Sequence, residues 1–137
     1  MPVKKDTLFF IVDNDAFFRM LYHQHLSNMG FRNNILLENP IECLNKLDLM
    51  PAAIFIAFDV IPYDGLEAIK RIKKIDPSIF TFLIVNAKDR KVLKETLLID
   101  GCEYIVKGDN DLEMITGAVN RLFKVRPNNV RHLLSTL

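Results

Sequence analysis

Cysteine is scarce in this chain, which has only two among its 137 residues. Cys43 and Cys102 lie far apart in the sequence, without the close pairing that zinc sites and redox motifs use. We therefore expect both to be reduced side chains in or near the core.

Long apolar runs and an excess of one charge are missing as well. No run approaches the roughly 20 apolar residues that span a bilayer, and residues 1–6 lack the apolar stretch of a signal peptide. The formal net charge of +1 gives no general attraction to nucleic acid or to a membrane. We therefore expect a cytoplasmic protein that binds neither of them.

Glycine is limited to five residues, and no glycine-rich phosphate loop follows any apolar segment. No arrangement of Ser, Cys and His suggests nucleophilic hydrolysis either. These absences disfavour a small-molecule binder that relies on such a loop, and they disfavour a hydrolase.

Half of the residues are apolar, which is enough for one compact domain with a single core. Short apolar runs alternate with segments of helical spacing. The runs predict strands at residues 8–12, 35–37, 52–58, 79–85 and 104–106. The spacing predicts helices at residues 16–29, 40–49, 66–75 and 88–100, with a fifth opening at the capping box of residues 110–113.

This alternation predicts an α/β protein in which parallel strands are joined by right-handed crossovers and covered by helices on both faces. The expected architecture is a three-layer, flavodoxin-like (βα)5 sandwich. Ligands of such sheets bind at the carboxyl ends of the strands. Asp13, Asn14 and Asp15, which follow the first apolar run, are therefore the first candidates for a functional site.

Several short motifs resemble response regulator receiver domains, the CheY-like domains of two-component signalling. The opening FIVDNDAFFR is similar to the strand that ends in two magnesium-binding acids in that family. The matches follow the family's order, at residues 10–19, Pro51, residues 62–69, residues 86–87 and residues 104–107. Each motif is weak alone, but the ordered set, within residues 7–123, is specific. The resemblance implies a parallel sheet of order 2-1-3-4-5.

The residue that receivers phosphorylate is an aspartate, and this chain departs from the family there. Counting forward from Pro51 and back from Gly65 with the family's spacing places the phospho-acceptor position at Ala57 in both cases. A methyl group cannot accept phosphate. The resemblance therefore implies a degenerate receiver, or pseudo-receiver.

Other positions of the implied site depart too. Asn14 replaces the second acid of the first strand, Asn86 replaces a hydroxyl residue, and Gly108 replaces a proline. The implied acidic pocket then consists of Asp13, Asn14 and Asp59. Because magnesium prefers carboxylates, we expect no resident cofactor and at most weak magnesium binding at Asp13 and Asp59.

The resemblance assigns Asn86, Tyr104 and Lys107 to the positions that sense phosphate and switch the domain. Asp13 and Lys107 are the surviving charged pair, and we expect them to form an ion pair that locks the site without metal or phosphate. Asp59 is an alternative acceptor, because it lies two residues beyond Ala57 and would share its side of the pleat if the strand continued that far.

The predicted function is that of a stand-alone receiver in a phosphorelay, acting by protein binding and not as an enzyme. The resemblance implies a histidine kinase or a downstream effector as partner, or a homodimer, through helix four, strand five and helix five. Tyr104, Leu98, Ile99 and Val119 are the expected apolar contacts there. The alternative is a phosphorylatable receiver that uses Asp59.

The chain is expected to divide into a receiver domain at residues 1–123 and a short basic tail at residues 124–137. The tail is interrupted by Pro127 and ends in apolar residues. It is either a frayed end or a docking segment.

Overall fold

A computed structural model describes residues 6–128, and a five-stranded parallel sheet forms its centre. The strands are β1 (Leu8–Val12), β2 (Asn33–Leu37), β3 (Ala53–Ala57), β4 (Phe80–Val85) and β5 (Cys102–Val106). Their order is β2-β1-β3-β4-β5, and all four neighbouring pairs are parallel. The predicted fold class and strand order are confirmed.

Helices cover both faces of this sheet. They are α1 (Ala16–Asn28), α2 (Pro40–Asn45), α3 (Gly65–Ile75), α4 (Leu93–Thr96) and α5 (Asp111–Asn128), with 3-10 turns at Leu47–Leu49 and Ala87–Val92. One apolar cluster packs the sheet against α2 and α3, and the other packs it against α1 and α5. β3 is buried along its whole length, as its unbroken apolarity predicts.

Polar side chains cap three of the helices. Asp15 accepts a hydrogen bond from the backbone N–H of Phe17 at the start of α1. Asn39 accepts one from the backbone N–H of Glu42 at the start of α2. Asp64 accepts from the N–H of Glu67 at 2.8 Å and opens α3. Such caps satisfy backbone donors that a helix leaves free, and they fix where each helix begins at the carboxyl edge of the sheet.

The fourth helix is the main departure from the predicted elements. The continuous helix predicted over residues 88–100 is wrong, because a 3-10 segment is followed by a single α-helical turn. Asp89 has non-helical φ and ψ angles of −103° and 19°. None of the residues Ala87–Val92 is buried, and core packing in this stretch is limited to the half-buried Val92, which gives an α-helix little support.

The boundaries at the carboxyl end also differ. β3 ends at Ala57, one residue before the predicted end. The fifth helix continues through Asn128, past the expected boundary between residues 123 and 124, and the rest of the expected tail lies outside the described residues. Within residues 6–128 no helix is long and apolar enough to cross a membrane. Cys43 is buried, Cys102 is half-buried, and both are free thiols.

Candidate functional site

The carboxyl ends of β1, β3 and β5 bring the predicted site residues to one edge of the sheet. Asp13 follows β1, Ala57 ends β3, and Lys107 follows β5. Hydrogen bonds to neighbouring strands fix the main chain here, from Asp13 N–H to the Leu37 carbonyl at 3.0 Å and from Lys107 N–H to the Val85 carbonyl at 2.8 Å. The positions of these side chains are therefore set by the ladder of the sheet.

Asp13 and Lys107 form a buried ion pair. Lys107 Nζ lies 3.1 Å from Asp13 Oδ2, and the two side chains are 10% and 1% exposed. The other carboxylate oxygen, Oδ1, accepts a hydrogen bond from the N–H of Asp15 at 2.9 Å. The predicted pairing of these two charges is confirmed, and both oxygens of the carboxylate are engaged.

Two side chains of α1 complete the surroundings of this pair. The Lys107 ammonium lies 4.0 Å from the centre of the Phe18 ring, a cation–π contact. The Arg19 guanidinium donates a 2.6 Å hydrogen bond to the backbone carbonyl of Asp13. The sequence prediction missed both residues as part of the site. Their place in the first turns of the helix that follows Asp13 was the available signal.

Ala57 is fully buried, and the start of α3 rests on its main chain. A Cβ atom added to Gly65 would overlap the carbonyl oxygen of Ala57, so only glycine permits this approach. The N–H of Gly65 also donates to the Phe58 carbonyl at 2.9 Å. The loop after β3 thus returns to the end of the same strand.

Asp59 lies at the surface, beyond the end of β3. The strand ends at Ala57 and Asp59 lies in the following turn, so the continuation that would align the two residues does not occur. The Asp59 side chain is exposed, and its carboxylate accepts a 3.3 Å hydrogen bond from the side-chain amide of Asn86. Asn14 is exposed as well.

The donor set does not fit a magnesium ion. The buried carboxylate of Asp13 is neutralised by Lys107, Ala57 offers no ligand, and Asn14 carries no charge. Within the described part of the chain, no group of three or more His, Cys, Asp and Glu side chains is placed to hold a metal. Hard cations are bound by several oxygens with negative charge among them.

The apolar contacts expected on the partner face are only partly exposed. Leu98 is 85% exposed, and Ile99 and Tyr104 are half-buried. Val119 is fully buried in the cluster between the sheet and α5, so its predicted surface contact is wrong. α5 presents an apolar stripe to the sheet, and Val119 belongs to that stripe.

A second buried polar pair lies close to the first. The phenol of Tyr22, on α1, donates a 2.9 Å hydrogen bond to the carboxylate of Asp111, at the start of α5. Burial and the Asp111 charge raise the pKa of Tyr22. The β5–α5 connection is therefore tied to β1 at Lys107 and to α1 at Asp111. The sequence prediction missed this bond, which joins residues 89 positions apart.

No protein-family model matches the sequence, and no curated protein matches it either. Solved structures do match. The signal receiver domain of an HD domain-containing protein from Pseudomonas fluorescens is 18% identical, with a TM-score of 0.79 over 96% of this chain and 97% of that one. A two-component response regulator from Clostridium difficile is 20% identical, with a TM-score of 0.76 over 87% and 97%.

A CheY-like receiver domain protein from Methanospirillum hungatei is 17% identical, with a TM-score of 0.75 over 86% of this chain and 94% of that chain. Likeness at these identities establishes the fold. The resemblance read from the sequence is confirmed at that level: the chain has the fold of response regulator receiver domains.

Proposed function

We propose that this chain, which has the receiver fold, serves two-component signalling as a receiver that binds a protein partner without being phosphorylated. The partner is a histidine kinase or a downstream effector, or a second copy of the chain. The receiver unit comprises residues 1–123, it acts in the cytoplasm, and it is not an enzyme.

The observation that carries this proposal is the buried ion pair between Asp13 and Lys107. Phosphoryl transfer to a receiver needs a nucleophile, a cation that neutralises the phosphoryl oxygens, and a free lysine to pair with them. Ala57 supplies no nucleophile, and Lys107 is already paired. Such a site stays in one charge state. Signalling then depends on the surface that the domain presents to its partner.

The other positions keep the roles that the resemblance gives them, as parts of the proposal. Asn86 and Tyr104 occupy the switch positions, and Asn86 donates a hydrogen bond to Asp59. We place the partner surface at α4, β5 and α5. Among the predicted contacts, Leu98 is exposed and Ile99 and Tyr104 are half-buried there.

Rebuilding the acceptor tests the proposal. The triple variant Ala57→Asp, Asn14→Asp and Asn86→Thr restores a nucleophile, a metal ligand and a hydroxyl beside Lys107. We expect it to take up one phosphate from acetyl phosphate with magnesium, while the parent takes up none. Intact mass spectrometry before and after alkaline treatment measures the label. The matched control carries Ala57→Asn with the same two other changes, and it should stay unlabelled.

Two other results would count against the proposal. If the parent chain is labelled and Asp59→Asn abolishes the label, Asp59 is the acceptor and the protein is an active receiver. If the triple variant folds but stays unlabelled, residue 57 does not present its side chain to Lys107.

A further inference from the structure

We infer that residues 88–98 are a docking site for an acidic protein segment that carries leucine-like side chains. The inference rests on the proposed function, because it names the chemistry of the partner that the α4 side of the domain receives. It concerns the exposed 3-10 segment and the single turn of α4.

Positive charge exceeds negative charge at the start of this stretch. Residues 88–94 contain four cations and one acid, Asp89. The four cations, all exposed, are Lys88, Arg90, Lys91 and Lys94. None of them forms an ion pair within residues 6–128. The nearest other acid, Glu95, is already bound to Lys70 of α3 at 3.2 Å.

Two exposed leucines follow the cations in the chain. Leu97 is 72% exposed and Leu98 is 85% exposed, the highest value for a large apolar side chain among the described residues. They are adjacent in the chain to the turn that carries Lys94. A ligand that covers them is therefore brought within reach of the positive charges.

The stretch is held at few points and leaves its outer side free. Thr96 is fully buried, with its hydroxyl donating to the Leu93 carbonyl at 2.7 Å, and Glu95 holds Lys70. No side chain of Ala87–Val92 is buried. Val92 and Leu93 are half-buried against the core, so the segment can adjust to a ligand on its outer side, where few contacts must break.

The mixture of groups favours a protein segment over a membrane or a nucleic acid. Residues 88–98 contain no aromatic side chain on which a base could stack. Two adjacent leucines are too small an apolar face to anchor a helix in lipid. Carboxylates that pair with the cations and apolar side chains that cover the leucines complement the whole stretch.

The test uses the full, ¹⁵N-labelled chain and a short synthetic peptide in which glutamate and leucine alternate. We expect saturable chemical-shift changes confined mainly to residues 88–98, and an affinity that falls as salt is raised. Replacing the glutamates of the peptide by glutamine, or its leucines by serine, should weaken binding in each case.

Matched variants separate this site from general charge. Lys91→Glu with Lys94→Glu should weaken peptide binding by about tenfold or more, whereas Lys46→Glu with Lys74→Glu, at exposed lysines elsewhere, should change it little. Leu97→Ser with Leu98→Ser should weaken it as well. Leu49→Ser with Met50→Ser, which remove other exposed apolar side chains, should not.

Three results would overturn the inference: shifts that map elsewhere, equal weakening by both lysine pairs, or stronger binding to phosphatidylglycerol vesicles or to poly(U) RNA than to the peptide. Phosphorylation of the parent chain would defeat the proposed function and leave the peptide result standing. Absence of peptide binding, with the parent chain still unlabelled, would defeat this inference and leave the proposed function standing. The two failures are therefore distinguishable.

Discussion

Asp13 is a carboxylate with almost no access to water, and it is paired with a single ammonium group. Its Oδ2 atom lies 3.1 Å from Lys107 Nζ and receives no hydrogen bond from another group among the described residues. A buried pair of this kind adds little net stability when it is intact, because desolvation offsets the attraction. Removing one partner is costly, since an uncompensated charge remains.

We expect Lys107→Met, which keeps the length of the side chain and removes its charge, to lower the free energy of unfolding by about 3 kcal/mol. Urea unfolding at neutral pH measures the change. The double variant Asp13→Asn, Lys107→Met should recover most of the loss, because no charge is then left buried. Lys88→Met, at an exposed and unpaired lysine, is the matched control. A loss below about 0.5 kcal/mol in the single variant would show that the pair is not effectively buried.

The bond between Tyr22 and Asp111 links two helices that lie on the same face of the sheet. α1 and α5 pack side by side there, and the start of α5 follows directly on the connection that carries Lys107. Because both ends of that connection are anchored by buried polar contacts, we expect α1, β1 and the start of α5 to move together or not at all.

Tyr22→Phe should lower the free energy of unfolding by about 1 to 3 kcal/mol at neutral pH, since the buried Asp111 carboxylate loses its donor. Burial and Asp111 raise the pKa of Tyr22, so the folded state favours the neutral phenol. This contribution is present below the unfolded tyrosine pKa of about 10 and is lost as pH rises above it.

The stability gap between parent and Tyr22→Phe should therefore narrow in urea unfolding series carried above about pH 10. The matched control is Tyr104→Phe, at a half-buried tyrosine on β5, which should cost less at neutral pH. A gap that is constant or widens with pH would contradict the role given to the phenol.

Stability is unevenly distributed over the domain. The central strands β1, β3 and β4 are buried almost throughout, whereas the stretch from Ala87 to Ile99 has short helical turns and few buried side chains. Local opening is easiest where few apolar contacts must break.

We expect the backbone amides of residues 87–99 to exchange with solvent deuterium at least about tenfold faster than those of α3, and the amides of β3 to exchange slowest. Hydrogen exchange followed by NMR at neutral pH measures this. Equal protection of α3 and of residues 87–99 would mean that α4 belongs to the cooperative core, and the adjustable docking stretch inferred above would lose its physical basis.

Much of the fold could be predicted from the sequence, because buried parallel strands are continuous apolar runs with clear breaks between them. The pairing of Asp13 with Lys107 could be predicted too, because the resemblance to receiver domains implies that both residues lie at one site.

Features that depend on packing could not be predicted in the same way. The fourth helix has a helical apolar spacing, but whether it forms depends on core contacts, which within residues 87–92 are limited to Val92. The Tyr22–Asp111 bond joins distant parts of the chain and has no local signature. The burial of Val119, by contrast, could have been predicted. It belongs to an apolar stripe of α5 with Ile115, Ala118 and Leu122, and this helical spacing indicates burial.

The contact between Gly65 and the carbonyl oxygen of Ala57 also bears on how such a site changes during evolution. Every amino acid carries that carbonyl group, so the packing of the start of α3 on β3 does not depend on the side chain of residue 57. An alanine codon that ends in a pyrimidine becomes an aspartate codon by one base change. Under the proposed function, an acceptor at residue 57 can then be lost or regained by one base change, while the glycine that permits the close approach of α3 must be kept through both events.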